Sequence, residues 1–168
     1  AYLYQNATFP VVAVRPPFVI SHEDDYTGRF MFHVHKIVNC EPISLVGSSP
    51  VSFVSAAELA EFLEYAGTNS DFKGPVNASN TGWLDSEQLS RKIGDLLGVP
   101  PIFGDGPEKS PFCIGETFKL SNDVARSNGF TFLPVETMIE RLIRDMSAMS
   151  DDKKLGLRLT QRNDYAGS

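Results

Sequence analysis

The sequence has no apolar run approaching the roughly 20 residues that a membrane-spanning helix needs, and no charged-then-apolar leader at its start. Neither membrane insertion nor secretion is predicted, and the expected compartment is the cytoplasm. Cysteine is scarce. Cys40 and Cys113 are the only two in 168 residues, and their distance in sequence predicts buried or partly buried thiols in a reducing compartment rather than a disulfide. Clusters of Lys and Arg are missing as well. With 15 basic against 21 acidic residues and a net charge of -6, the phosphate-dominated attraction that nucleic-acid binding requires is absent, so no nucleic-acid partner is predicted. Metal-site spacing is also lacking. His22-Glu23-Asp24-Asp25 has neither the mid-loop Gly nor the closing Glu of a calcium loop, and no metal site is assigned. Ser48, Ser49 and the three His have no Gly-x-Ser-x-Gly elbow to organise them, which sets aside a hydrolase. No catalytic residue is assigned.

What is present fits one globular α/β domain, 42% hydrophobic and 21% charged. It is predicted to occupy residues 1–150, with a loosely held polar tail over 151–168. The longest apolar stretch, residues 9–20, organises the rest. Val11 to Val14 reads as a strand buried on both faces, the habit of a parallel sheet covered by helices. Pro16 and Pro17 cannot donate to a ladder and end it near Arg15. The segment from Arg15 to Ile20 thus leaves the carboxyl end of a strand, where open α/β sheets bind ligands.

Residues 1–8 read as the end of a helix. A further helix is predicted to start at Asp25 or Thr27, with Phe30, Met31, Val34, Ile37 and Val38 inward. His33 and His35 stand about 200° apart on it, which predicts one exposed His and one facing a neighbouring loop. Residues 41–46 and 51–54 read as short strands. Ser55-Ala56-Ala57-Glu58 is a capping box opening a helix whose buried stripe is Leu59, Phe62, Leu63 and Ala66 and which Gly67 stops. Residues 68–73 read as a polar linker. In the following strand and turn, Asn77 and Ser79 either hydrogen-bond a polar ligand or serve the turn's own backbone. Asp85 and Gln88 cap the clearest helix, which carries Leu89, Ile93, Leu96 and Leu97 on one face and ends at Gly98. Residues 99–116 form a connection that is either functional or mobile. Ser121 caps a short helix through Ser127, and Pro134 opens the last, with Val135, Met138, Ile139, Leu142, Ile143 and Met146 inward. On its outer face Glu136 repels Glu140 while Glu140 attracts Arg144.

Arg15-Pro16-Pro17-Phe18-Val19-Ile20, closely followed by Asp24-Asp25-Tyr26-Thr27-Gly28-Arg29, resembles the later half of an extended short-chain dehydrogenase/reductase of the NAD-dependent epimerase/dehydratase group. The likeness continues through Phe53-Val54-Ser55-Ala56-Ala57-Glu58-Leu59-Ala60 and Gly74-Pro75-Val76-Asn77-Ala78-Ser79, and ends between Leu120 and Phe130. The order and spacing of the motifs carry it. The resemblance implies the carboxyl-terminal portion of a Rossmann-like fold, with a few parallel strands and about five helices. It implies that Arg15, Pro16, Pro17, Phe18 and Val19 line a nicotinamide cofactor and that Arg29, Asn77 and Ser79 contact the substrate.

The family's Gly-rich phosphate loop and Tyr-x-x-x-Lys pair have no counterpart here. Tyr2 is followed four residues on by Asn6, Tyr4 by Thr8, Tyr26 by Phe30 and Tyr65 by Asn69. Gly104-Asp105-Gly106-Pro107 lacks a third Gly, and Pro107 has no backbone donor. The expectation is the substrate-binding half of an NAD(P)-dependent epimerase, dehydratase or reductase acting on a sugar-nucleotide or other small polar substrate. NAD or NADP would be held by the full-length parent and not by this chain alone. The expected partners are a missing amino-terminal half or a second copy of the chain. The alternative is a non-catalytic α/β binding or dimerisation module, as the missing Tyr-Lys pair would suggest.

Overall fold

Pro16 and Pro17 split the first extended segment into two strands that pair with different partners. In the computed structural model, which describes residues 6, 8–9, 11–23, 26–68, 73–106 and 108–148, β1 (Val12–Arg15) lies parallel to β5 (Gly74–Asn77), with Arg15 opposite Asn77. Just past the two prolines, β2 (Phe18–Ile20) lies parallel to β4 (Phe53–Ser55), with Phe18 opposite Phe53. A third parallel pair joins β3 (Pro42–Ile43) to β6 (Ile102–Phe103). The predicted tail over 151–168, residues 1–5 and most of the 68–73 linker lie outside the described residues.

The residues predicted to be doubly buried, Val11 to Val14, are only half-buried. The reason is topological: among the described residues β1 has one partner strand, so one of its edges and part of a face stay uncovered.

Helix α1 (Arg29–Val38) starts later than the sequence suggested. Gly28 precedes it in the left-handed region (φ 60°) with no side-chain cap, a conformation that Gly tolerates without Cβ strain. Phe30, Met31, Val34 and Ile37 face inward as predicted, whereas Val38 is 44% exposed. His33, predicted to be exposed or loop-facing, is fully buried. Helix α2 (Ala56–Thr68) has half of its capping box. The Ser55 hydroxyl accepts the Glu58 N–H at 3.2 Å, but the Ser55 N–H goes to Asn80 Oδ1 (3.3 Å), freeing the Glu58 carboxylate to turn into the core. Gly67 does not end this helix, which runs on to Thr68, and Leu63 is 50% exposed rather than buried.

The capping box of α3 (Ser86–Leu97) is complete: Gln88 N–H donates to Asp85 at 2.8 Å, and the Gln88 side chain accepts the Asp85 N–H at 3.0 Å. Gly98 closes the helix with φ 69°. Leu89 and Ile93 are buried, while Leu96 is exposed. Helix α4 (Asp123–Ser127) is short, and α5 (Val135–Ala148) buries Val135, Met138, Ile139, Leu142 and Ile143. Glu140, predicted to interact only along its own helix, reaches Lys92 of α3 at 2.6 Å, and this contact holds its carboxyl below the usual range.

Two apolar clusters result. One joins α1, α3 and α5 to Ile20, Ile43, Val51, Phe53 and Phe112. The other packs Phe62 and Ala66 of α2 against Val76, Ala78, Ala125 and Phe132, with Val12 and Val14 at its margin. The connection over residues 99–116 supplies β6 and buries Ser110, Phe112 and Cys113. Cys40, predicted to be at least partly buried, is instead exposed at a turn with φ 54°.

Candidate functional site

Because β1 and β5 are parallel, Arg15 and Asn77 end their strands side by side. Beyond them the chain changes sheets at Pro16-Pro17. Arg15 is exposed, and its guanidinium makes no ion pair among the described residues. Asn77 is partly buried and donates through Nδ2 to the Ser121 carbonyl at 2.8 Å. Asn122 donates to the Ser79 carbonyl (2.8 Å) and to Thr81 Oγ1 (3.0 Å), so the segment before α4 is stitched to the carboxyl end of β5. Ser79 has no exposed surface, and its hydroxyl donates to the Asn80 carbonyl at 3.1 Å.

Phe18 is the centre of an aromatic wall. Phe112 meets it edge-on at 5.2 Å, Phe118 does so at 6.2 Å, and Phe53 lies tilted at 6.2 Å. The Arg29 guanidinium stands 5.4 Å from the centre of the Phe18 ring, within cation–π range. The fold thus unites Phe18 and Arg29, and separately Arg15 and Asn77. Pro16 is exposed beside them and Val19 is 37% exposed. Sequence reasoning missed Phe112 and Phe118, which come from the long Pro- and Gly-rich connection and just after it. It also missed Lys119, whose Nζ lies 4.1 Å over the exposed ring of Trp83. A lone aromatic residue in a loop carries no periodicity, so its partners are invisible until the chain is folded.

Behind the wall lies a buried polar group. His33 Nδ1 meets Ser90 Oγ at 2.8 Å, and Nε2 meets Ser110 Oγ at 3.0 Å. Ser90 gives its proton to the Ser86 carbonyl (2.7 Å), so it accepts from Nδ1–H, and the neutral ring accepts from Ser110 at Nε2. Burial pushes the imidazole down to about 3, which keeps it neutral. The Ser86 hydroxyl adds contacts to Ser110 (2.9 Å) and to Cys113 (3.3 Å). On α2 Glu58 is a second hub: its carboxylate accepts from Ser55 Oγ, Asn80 Nδ2 and the Leu133 N–H at 3.1, 2.7 and 2.9 Å.

Arg15 and Pro16 are exposed at the carboxyl end of β1, and Val19 is exposed within β2. Gly106, in the Gly-x-Gly stretch, is packed instead of open: a Cβ there would sit 3.0 Å from the Pro42 carbonyl oxygen. Among the described residues no group of three or more His, Cys, Asp or Glu could hold a metal ion, and no helix is long and apolar enough to cross a membrane.

No protein-family model matches the sequence, and no curated protein does. Solved structures do match. The UDP-glucose 4-epimerase of Thermus thermophilus, solved with NAD, superposes with a TM-score of 0.68 at 15% identity, over 89% of this chain and 50% of that one. The dTDP-glucose 4,6-dehydratase of Bacillus anthracis, also solved with NAD, gives 0.69 at 9% identity, over 90% and 49%. The dTDP-4-dehydrorhamnose reductase of the same organism, with NADP, gives 0.64 at 20%, over 80% and 48%. The chain spans about half the length of these structures. Over that half it shares the α/β fold of these structures, as the resemblance carried by the order and spacing of its motifs implied.

Proposed function

We propose that this chain supplies the substrate-binding half of an NAD(P)-dependent epimerase, dehydratase or reductase that acts on a sugar-nucleotide. The observation that carries the reading is the pairing of Phe18, at the start of β2, with Arg29. An aromatic wall next to a guanidinium suits a ligand with a planar base and phosphate oxygens. The fold-level likeness to a UDP-glucose 4-epimerase and a dTDP-glucose 4,6-dehydratase agrees with this reading. In this reading Phe18, Arg29 and Asn77 orient the substrate, and Arg15, Pro16, Pro17 and Val19 line the nicotinamide side. Bound NAD or NADP would supply the hydride chemistry. The chain's own residues bind, orient and exclude water, and the dinucleotide phosphates are held by a nucleotide-binding half or partner outside it.

Calorimetric titration tests the proposal. UDP-glucose should bind, and Arg29→Ala should weaken it about tenfold or more, the scale of one charge-assisted contact. NAD and NADP should bind negligibly, because the Gly-rich cradle that grips pyrophosphate is absent from the sequence. Micromolar affinity for either would show the cofactor site to be misplaced, and failure of UDP-glucose at millimolar concentration would sink the substrate reading. The second reading, a non-catalytic α/β binding module, is favoured by the absence of any Tyr with Lys four residues on.

A further inference from the structure

His33 stands one layer behind the aromatic wall. Its ring stacks on Phe112 at 5.5 Å and 17°. Phe112 in turn meets Phe18 edge-on at 5.2 Å and Phe53 edge-on at 5.0 Å. Phe18 carries the Arg29 guanidinium. An unbroken line of ring contacts therefore runs from the core to the half-buried Phe18 and Arg29.

A hydrophobic side chain at position 33 would fill the same volume without the desolvation cost of a buried imidazole. What the imidazole adds is orientation. Its two nitrogens are bonded to different parts of the fold, Ser90 on α3 and Ser110 in the connection before Phe112, so the ring cannot turn without leaving a buried polar group unpaired. Ser110 also accepts the Phe112 N–H at 3.3 Å, which ties the backbone of the stacked residue to the same group.

We propose that His33 is the positioning residue of this site: clamped between Ser90 and Ser110 and stacked on Phe112, it sets where Phe18 and the Arg29 guanidinium stand for a nucleotide-sized ligand. This rests on the reading of Phe18 and Arg29 as the ligand wall. Phe112 and Phe18 shift together if the clamp is released, because aromatic packing at these distances leaves no slack.

The test uses the 168-residue chain with His33→Gln, which removes the stacked ring, and Ser110→Ala, which keeps the ring and frees one end of it. Two quantities are read well below the melting temperature. The first is the NMR resonance of the Arg29 guanidinium, shifted upfield by the ring current of Phe18; the second is the affinity for UDP-glucose. The positioning role predicts that both variants move the Arg29 resonance toward its free value and weaken UDP-glucose by about three- to tenfold, the range spanned by one aromatic contact. A merely structural role lowers the melting temperature and leaves both quantities unchanged, and an unmoved Arg29 resonance in folded Ser110→Ala overturns the inference. If UDP-glucose fails to bind the unsubstituted chain while Ser110→Ala still moves the Arg29 resonance, the positioning role stands and the substrate reading falls.

Discussion

A histidine held neutral inside an apolar cluster makes the fold sensitive to acid. The folded pKa of His33 is about 3 against 6.5 for an unburied imidazole, so between those values the unfolded chain binds the proton that the folded chain refuses. Stability from this group is fully present above pH 6.5 and is lost as the pH falls toward 3. Each unit is worth about 1.4 kcal/mol, so lowering the pH from 7 to 5 should remove roughly 2 kcal/mol. Urea midpoints at the two pH values should fall steeply in the natural chain and distinctly less in His33→Gln; equal slopes would refute the assignment. Glu58 makes a separate prediction. Glu58→Gln replaces one accepting oxygen by an NH2 that neither Asn80 Nδ2 nor the Leu133 N–H can use, so it should cost about 1–3 kcal/mol in denaturant unfolding despite its near-identical shape. At this scale the sequence was least legible. Ser55 and Glu58 announced a helix cap, yet nothing local signalled that Glu58 would serve Leu133, 75 residues away. The sequence allowed one of His33 and His35 to face a loop but not which one, because a neutral imidazole can be buried only when partners distant in sequence, here Ser90 and Ser110, satisfy it.

Elements were easier to read, because caps and periodicity are local. Asp85 with Gln88 and Gly98 gave both ends of α3, and Pro134 with the spacing from Val135 to Met146 gave α5 and its inward face. Boundaries failed where a second local signal competed with the first: α2 runs through Gly67 to Thr68, whose hydroxyl donates to the Glu64 carbonyl, and α1 waits until Gly28 has turned the chain. Two helical glycines turn this distinction into a measurement. Gly94 on α3 is buried against the next turn of chain, and a Cβ there would lie 2.7 Å from both the Val99 carbonyl oxygen and the Pro101 ring. Gly67 on α2 faces open space, with nothing within 4 Å of such an atom. Gly67→Ala should therefore raise stability by about 0.5–1 kcal/mol through helix propensity and a less disordered unfolded state. Gly94→Ala should lower it by about 1–3 kcal/mol, since the clash exceeds the propensity gain. Equal thermal shifts in the two variants would show that packing against Val99 and Pro101 does not constrain α3.

At the scale of the whole molecule the decisive feature is the outer edge of β1. The Gly74 N–H donates to the Val11 carbonyl and the Ala78 N–H to the Arg15 carbonyl, so the odd-numbered residues of the strand face β5. The alternation of a parallel ladder then turns the backbone groups of Val12 and Val14 the other way, where no described residue meets them. An apolar strand with a free edge invites another strand, and leaving it bare is costly. In the solved structures that share this fold, about as much chain again exists beyond the matched half. For the 168-residue chain on its own, the strand at hand in sufficient concentration is the same edge of a second copy. A two-fold axis between two such edges pairs them antiparallel and satisfies the outward groups of Val12 and Val14 on both copies at once. Light scattering on the purified chain should therefore report about twice 18.5 kDa. The mass should fall toward the monomer on dilution, as expected for so short a strand. A monomer that melts cooperatively at high temperature would mean that the edge needs no cover, and the self-sufficient binding module would then replace the substrate-binding half as the better account.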